Sequence, residues 1–168
     1  MKILVFLIIG FMSVSAYAKE ATLILTTAST GVVEKINVKA GQSVKKGHLL
    51  LQLDQRVYKA KLDEAIAVLK SMKLEFEEAQ KELERAEELY ERTVLSDHEL
   101  NSAKVEFAKA ESRLAKSQRQ EIEAQYNFDH SQLLAPVSGK VQSVMAFPGM
   151  LVNNHLKDTP LIKFVSKK

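Results

Sequence analysis

Cysteine is absent from the 168 residues, and so is tryptophan. Without cysteine there is no disulfide framework, no thiolate metal site, no cysteine nucleophile and no lipid-attachment cysteine. Packing alone must hold the chain together. Glycine and proline are scarce, six and three residues, and none of them lies between Arg56 and Gln132. So long a stretch without either residue excludes a string of tight turns there. No charge sign dominates: 24 basic residues face 21 acidic ones, for a net charge of +3, and the basic residues form no cluster. A nucleic-acid footprint is therefore not expected. No nucleophile motif, glycine-rich phosphate loop or metal-ligand spacing is present. Neither catalytic nor cofactor-binding residues are expected.

Long apolar runs are also few. The longest, "ILVFLIIGFM", has ten residues, follows Lys2, and precedes "SVSAYA". Ten residues are too few to span a bilayer comfortably, and small residues at Ala16 and Ala18 suit a signal peptidase. Residues 1–18 are expected to be a signal peptide cleaved after Ala18; an uncleaved membrane anchor is the alternative.

What is present is a repeat. Thr30 to Val44, "TGVVEKINVKAGQSV", returns 108 positions later as "SGKVQSVMAFPGMLV". Gly31 meets Gly139, Val33 meets Val141, Ile36 meets Val144, Gly41 meets Gly149 and Val44 meets Val152. Alternating β-branched residues and glycine turns make each copy a short β-ribbon. "HLLLQLD" reads as a further strand, as does "TPLIKFV", with Pro160 at its start. Neither half buries enough apolar surface alone. Residues 19–53 and 133–168 are expected to close into one β-domain.

The intervening residues, 54–132, read as helix. Leu62, Leu69, Phe76, Leu83 and Tyr90 recur in sevens, as do Ala65, Met72, Ala79 and Ala86. This is coiled-coil spacing. A second helix follows with Leu100, Phe107 and Leu114 beside Ala103 and Ala110, and its pattern fades at Ser117 and Glu121, where a register shift is expected. Between the two, Ser96 to Glu99 forms a capping box, flanked by Leu95 and Leu100 at the hydrophobic-staple positions. The short link, near residues 93–97, requires antiparallel helices. Residues 74–92 carry a net charge of −5 and residues 99–119 a net charge of +2, which favours their pairing. The fold class is α+β, a two-fold β-sandwich interrupted by a long helical hairpin.

The two-fold β-domain with this turn text resembles the lipoyl/biotinyl carrier domain, a barrel-sandwich hybrid. Its modified lysine would stand in a tight turn at the joint. Lys59 and Lys61 lie instead in helical text, so no cofactor attachment is expected. A lipoyl-like domain split by a helical hairpin resembles the periplasmic adaptors, or membrane fusion proteins, of efflux pumps and type I secretion systems (HlyD-like and RND-type). The resembling text is "TGVVEKINVKAGQSVKKGHLLLQLDQRVYKAKLDEA" on entry and "LLAPVSGKVQSV" on exit. The resemblance implies a non-catalytic homo-oligomer in the periplasm. It would link an inner-membrane RND or ABC transporter to a TolC-like outer-membrane channel, and bind no nucleic acid. At the tip, Arg85, Leu89 and Ser96 fall at the family's channel-docking spacing; Ser96 and Glu99 also serve as the cap. Off the seam, Ile66, Val68, Leu74 and Val105 are read as lateral contacts with neighbouring hairpins. The family's β-barrel and membrane-proximal domains find no matching text here, so either another polypeptide supplies the contact with the transporter, or the chain is a reduced adaptor or one that regulates assembly. A periplasmic coiled-coil scaffold, or a protein that regulates assembly, is the alternative function. The histidines, 48, 98, 130 and 155, fall at no ligand spacing.

Overall fold

The computed structural model describes residues 22–153 and 159–166; the expected leader and His155 lie outside them. Eight strands and two helices follow in order. They are β1 (Thr22–Leu25), β2 (Gly31–Ile36), β3 (Ser43–Val44), β4 (Leu49–Leu53), α1 (Arg56–Glu91), α2 (Asp97–Asp129), β5 (Gln132–Leu134), β6 (Gly139–Val144), β7 (Leu151–Val152) and β8 (Ile162–Ser166).

The repeat is a repeat of structure. β2 and β6 begin and end 108 residues apart, and so do β3 and β7. One sheet has the order β1-β8-β6-β3 and the other β5-β4-β2-β7, so exchanging the halves converts each sheet into the other. Even the irregularity recurs. The loose alternation of "GVVEKI" is a register shift between Val33 and Lys35, and the second half has its own between Val141 and Ser143. Gly41 and Gly149 take φ of +85° and +88°, a region that side chains with a Cβ disfavour. Each donates its N–H across to the other half, to Val141 O and Val33 O, at 2.8 Å in both cases.

Inward residues of both sheets make one core, including Val33, Val141, Val44, Val152, Leu50, Leu53, Ile162 and Phe164. Phe164 is fully buried on β8, opposite Leu23 on one side and Val141 on the other. Pro160 stands just outside β8 rather than at its start. The strand instead opens beyond Leu161, whose N–H bonds Leu25 O.

The helices meet along the seam read from the sequence. Phe76 and Phe107 pack at the middle with ring centroids 5.2 Å apart. Two expectations change. First, the register does not shift at Ser117. Ser117 is buried and its hydroxyl bonds Leu114 O at 2.8 Å. The sevenfold series runs on through Ala103, Ala110, Ser117, Ala124 and through Phe107, Leu114, Glu121, Phe128, all buried or half-buried. A small hydroxyl that bonds its own helix can occupy a seam position, so polarity faded while geometry did not. Second, the opposite charge of the two helices gives few direct ion pairs between them. Among the described residues one ion pair bridges them, Arg113 to Glu75 at 3.1 Å, and five others lie within one helix. Exposed pairs at i, i+3 or i+4 close more readily than pairs across the seam, and each contributes little.

Hairpin and β-domain have separate apolar cores, joined by a polar layer. Gln55 Nε2 donates to Ser131 Oγ at 2.7 Å, Ser29 Oγ to Asn127 O at 3.1 Å, and the Tyr58 hydroxyl to Thr30 O. Gln55 caps α1 without a side-chain bond. Asp54 supplies one instead, accepting the Arg56 N–H at 3.1 Å. The Arg56 guanidinium and backbone together hold the Asp54 carboxyl down at about 2.

Candidate interaction site on the helical hairpin

A helix rises 1.5 Å per residue, so the 36 residues of α1 carry the tip about 54 Å from the β-domain. No glycine is available to turn the chain there. Thr93 takes the left-handed conformation instead, with φ of +60°, a strained state for a β-branched residue. Thr93 N–H bonds Tyr90 O at 2.8 Å and Val94 N–H bonds Leu89 O at 3.0 Å, the paired bonds of a Schellman cap. The missing glycine between residues 56 and 132 was the sequence signal for this strain. Val94, unmarked by sequence reasoning, is 69% exposed, more than any other large apolar residue described.

The start of α2 is capped as its text indicates. Ser96 Oγ accepts the Glu99 N–H at 3.3 Å, and Glu99 Oε2 accepts the Ser96 N–H at 2.9 Å and the Ser96 hydroxyl at 2.6 Å. These bonds hold the Glu99 carboxyl below its ordinary value. Tyr90, assigned to the seam, is largely exposed and ties the turn from above. Its hydroxyl donates to Asp97 Oδ1 at 2.6 Å, which raises its pKa, with the Asp97 charge adding to the effect.

Ser96→Ala should cost about 1 kcal/mol of tip stability. The pH dependence has a defined sign. Glu99 is depressed in the fold, so its bond stabilises above the unfolded value, near 4.5, and is lost as pH falls through the lower folded value. Protection of the Ser96 and Glu99 amides against exchange, relative to the unfolded chain at the same pH, should fall over that acid range in the parent, and in Ser96→Ala should be low throughout.

Arg85 pairs with Glu82, about two turns below Thr93. Leu89 lies four residues on, 38% exposed. The structure thus places Leu89 and Ser96 at the turn, Arg85 on the α1 shaft, and the Ser96 hydroxyl already committed to the cap. Ile66, Val68, Leu74 and Val105 are all exposed along the shaft, and Val57, Ile122 and Tyr126 join them. Their helical spacing was visible, but with an uncertain register on α2 the last two could not be assigned to a face. Lys59 lies on the first turns of α1, bound to Asp63 at 2.6 Å. His48, His98 and His130 stand apart, and the described residues contain no cluster of three or more metal-ligating side chains.

Residues 23–162 match the family described as RND MFP, barrel-sandwich hybrid domain. The chain belongs to the RND-type membrane fusion proteins. Members of this family are non-catalytic adaptors. The curated Multidrug resistance protein MdtA of Pectobacterium carotovorum is 28% identical over 120 residues, 71% of this chain but 29% of its own length. This membrane fusion protein chain therefore spans under a third of that relative. Among solved structures, a MacA-MexA chimeric protein containing the Pseudomonas aeruginosa MexA alpha-hairpin domain superposes with a TM-score of 0.63 at 26% identity. That match covers 87% of this chain and 46% of the other. The membrane fusion protein Spr0693 from Streptococcus pneumoniae R6 gives 0.64 at 18% identity, over 89% and 60%, and speaks to fold alone. No described helix is long and apolar enough to cross a membrane.

Proposed function

We propose that this chain is an exported periplasmic adaptor that couples an inner-membrane transporter, directly or through another subunit, to a TolC-like outer-membrane channel. Residues 1–18 direct export and are removed after Ala18. Copies of the chain stand side by side, with Ile66, Val68, Leu74 and Val105 between neighbouring hairpins. Tips meet the channel through Leu89 and Arg85, while Ser96 keeps the turn in shape. The observation that carries this reading is the tip itself. A strained, glycine-free turn at the end of a rigid arm leaves Leu89 and Val94 facing solvent, and exposed apolar groups beside a held turn suit a docking surface. The adaptor work is alignment and sealing, without bond chemistry.

Photo-crosslinking from a tip position in intact cell envelopes tests it. Leu89→Lys should reduce channel capture by about tenfold or more, the size of loss expected for a central contact, with helical circular dichroism unchanged. Arg85→Ala should reduce it less, since an exposed guanidinium is already partly satisfied by Glu82. Undiminished capture by both variants would remove the tip from the docking role.

A further inference from the structure

Charge is divided between the two parts of the molecule. Residues 22–53 and 132–166 hold seven lysines against two acids, a net charge of +5, while residues 54–131 hold 13 basic and 18 acidic residues, a net charge of −5. The kind of base differs as well. All five arginines belong to the hairpin, and each closes an ion pair. The β-domain has lysine alone, and among the described residues none of its lysines is in an ion pair. Its core does not use these charges: Lys35, Lys39, Lys45, Lys46 and Lys140 are all exposed. Uncompensated charge of one sign destabilises a compact domain by self-repulsion, and a partner of opposite sign relieves it.

Lysines scattered in the sequence are gathered in part at one pole by the fold. β4 and β5 meet the hairpin at Leu53 and Gln132 and pair Leu49 with Leu134 at their other ends. The turns beyond those ends, 45–48 and 135–138, therefore lie opposite the arm. They are tied to each other. Gly47 N–H bonds Ala135 O at 2.8 Å, Ala135 N–H bonds His48 O at 2.9 Å, and Lys46 N–H bonds Ser138 Oγ at 3.2 Å. Lys45 and Lys46 stand on the first turn, and Lys140 follows the second at the start of β6. Val137 is exposed on the second turn. Pocketed recognition of a single carboxylate or phosphate favours the planar fork of arginine, which the β-domain lacks. Hydrated lysine heads on flexible stems, spread over two turns, suit a diffuse anionic surface instead. An apolar side chain among them suits the boundary between headgroups and acyl chains.

We propose that this pole, with Lys45, Lys46, Lys140 and Val137, rests on an anionic phospholipid surface, and that the acidic arm makes the molecule stand upright on it. Attraction acts within a Debye length, about 8 Å at physiological salt. In the upright pose only the pole lies inside that layer. A molecule lying flat would bring the hairpin and its net charge of −5 into it. The proposal adds a lipid partner to the adaptor reading and uses none of the tip contacts.

Co-sedimentation of the exported chain, residues 19–168, with vesicles tests it. Vesicles of phosphatidylcholine with about a third phosphatidylglycerol should bind the chain at about 0.15 M salt, phosphatidylcholine alone should not, and about 1 M salt should release it. Lys45→Glu/Lys46→Glu should bind about twentyfold or more weakly, roughly fivefold for each lysine lost. Its circular dichroism should be unchanged, because both side chains are exposed. Lys70→Glu/Lys73→Glu makes the same charge change on the shaft, about 20 Å or more from the start of α1, and should bind as the parent does. Equal binding to neutral and anionic vesicles, an undiminished pole variant, or equal losses in the pole and shaft variants would each overturn the proposal. So would capture of a protein at residue 46 in cell envelopes by a chain that ignores anionic vesicles. A donor dye at residue 46 should be quenched by headgroup acceptors far more than one at residue 94; equal quenching would overturn the upright pose. Leu89→Lys separates the two readings: it should bind vesicles normally while losing channel capture. A parent that binds anionic vesicles without capturing a channel would sink the docking role alone.

Discussion

Gly139→Ala should destabilise the β-domain by about 3 kcal/mol or more, at the upper end of overpacking penalties. A methyl placed on Gly139 falls 2.2 Å from Val165 O and within 2.8 Å of two Phe164 ring carbons. The carbonyl belongs to the neighbouring strand, with Gly139 opposite Ser166, so relief requires pulling the sheet apart. Its repeat partner supplies the control. At Gly31 the nearest atoms to such a methyl are Leu53 Cδ1 at 3.6 Å and the Tyr58 hydroxyl at 3.8 Å, ordinary contacts. Gly31→Ala should be neutral or slightly stabilising, because the unfolded chain loses freedom. Thermal and urea unfolding of the two variants should therefore diverge sharply. Equal behaviour would contradict the close packing of β6 on β8.

Phe164→Ala should cost about 3–5 kcal/mol, the range for a buried aromatic side chain. The ring is fully buried in the middle of its sheet, and no helical residue belongs to that core. Unfolding should lose its two-state form. Slow amide exchange on β6 and β8 should vanish while much of the helical signal remains at the same denaturant concentration. The two substitutions are also coupled. Removing the ring relieves two of the three contacts around a Gly139 methyl but leaves the Val165 carbonyl, so the double variant should be less damaging than the sum of both. Simple additivity would mean that the ring does not touch Gly139.

The parts of this architecture written in local pattern were legible in advance. The 108-residue repeat identified strands and turns because core positions and positive-φ glycines impose the same residues twice. The capping box located the tip because satisfying orphan amides requires specific side chains at a fixed spacing. What the pattern missed was set by geometry rather than polarity. Ser117 fits the seam because it is small and bonds its own helix. The charge contrast closes one direct pair across the seam, Arg113 to Glu75, while the other helical ion pairs described lie within one helix. Thr93 was invisible because nothing in a threonine announces positive φ; only the want of a glycine did. Tyr90 sits on the seam by spacing and serves as a clamp because Asp97 is within reach.

The feet of the hairpin have a thermodynamic consequence. Leu53 and Gln132 end and begin adjacent strands, β4 and β5, although roughly 80 residues separate them. For a flexible loop of that size the length-dependent closure entropy is about 4 kcal/mol. The zipped helices absorb it by delivering both ends side by side, so the arm acts as a splint for the sandwich it stands on. Deleting matched heptads from α1 and α2 shortens the splint yet keeps its ends together, and should leave the melting of the β-domain in place. Deleting heptads from one helix alone misaligns the seam and should lower it.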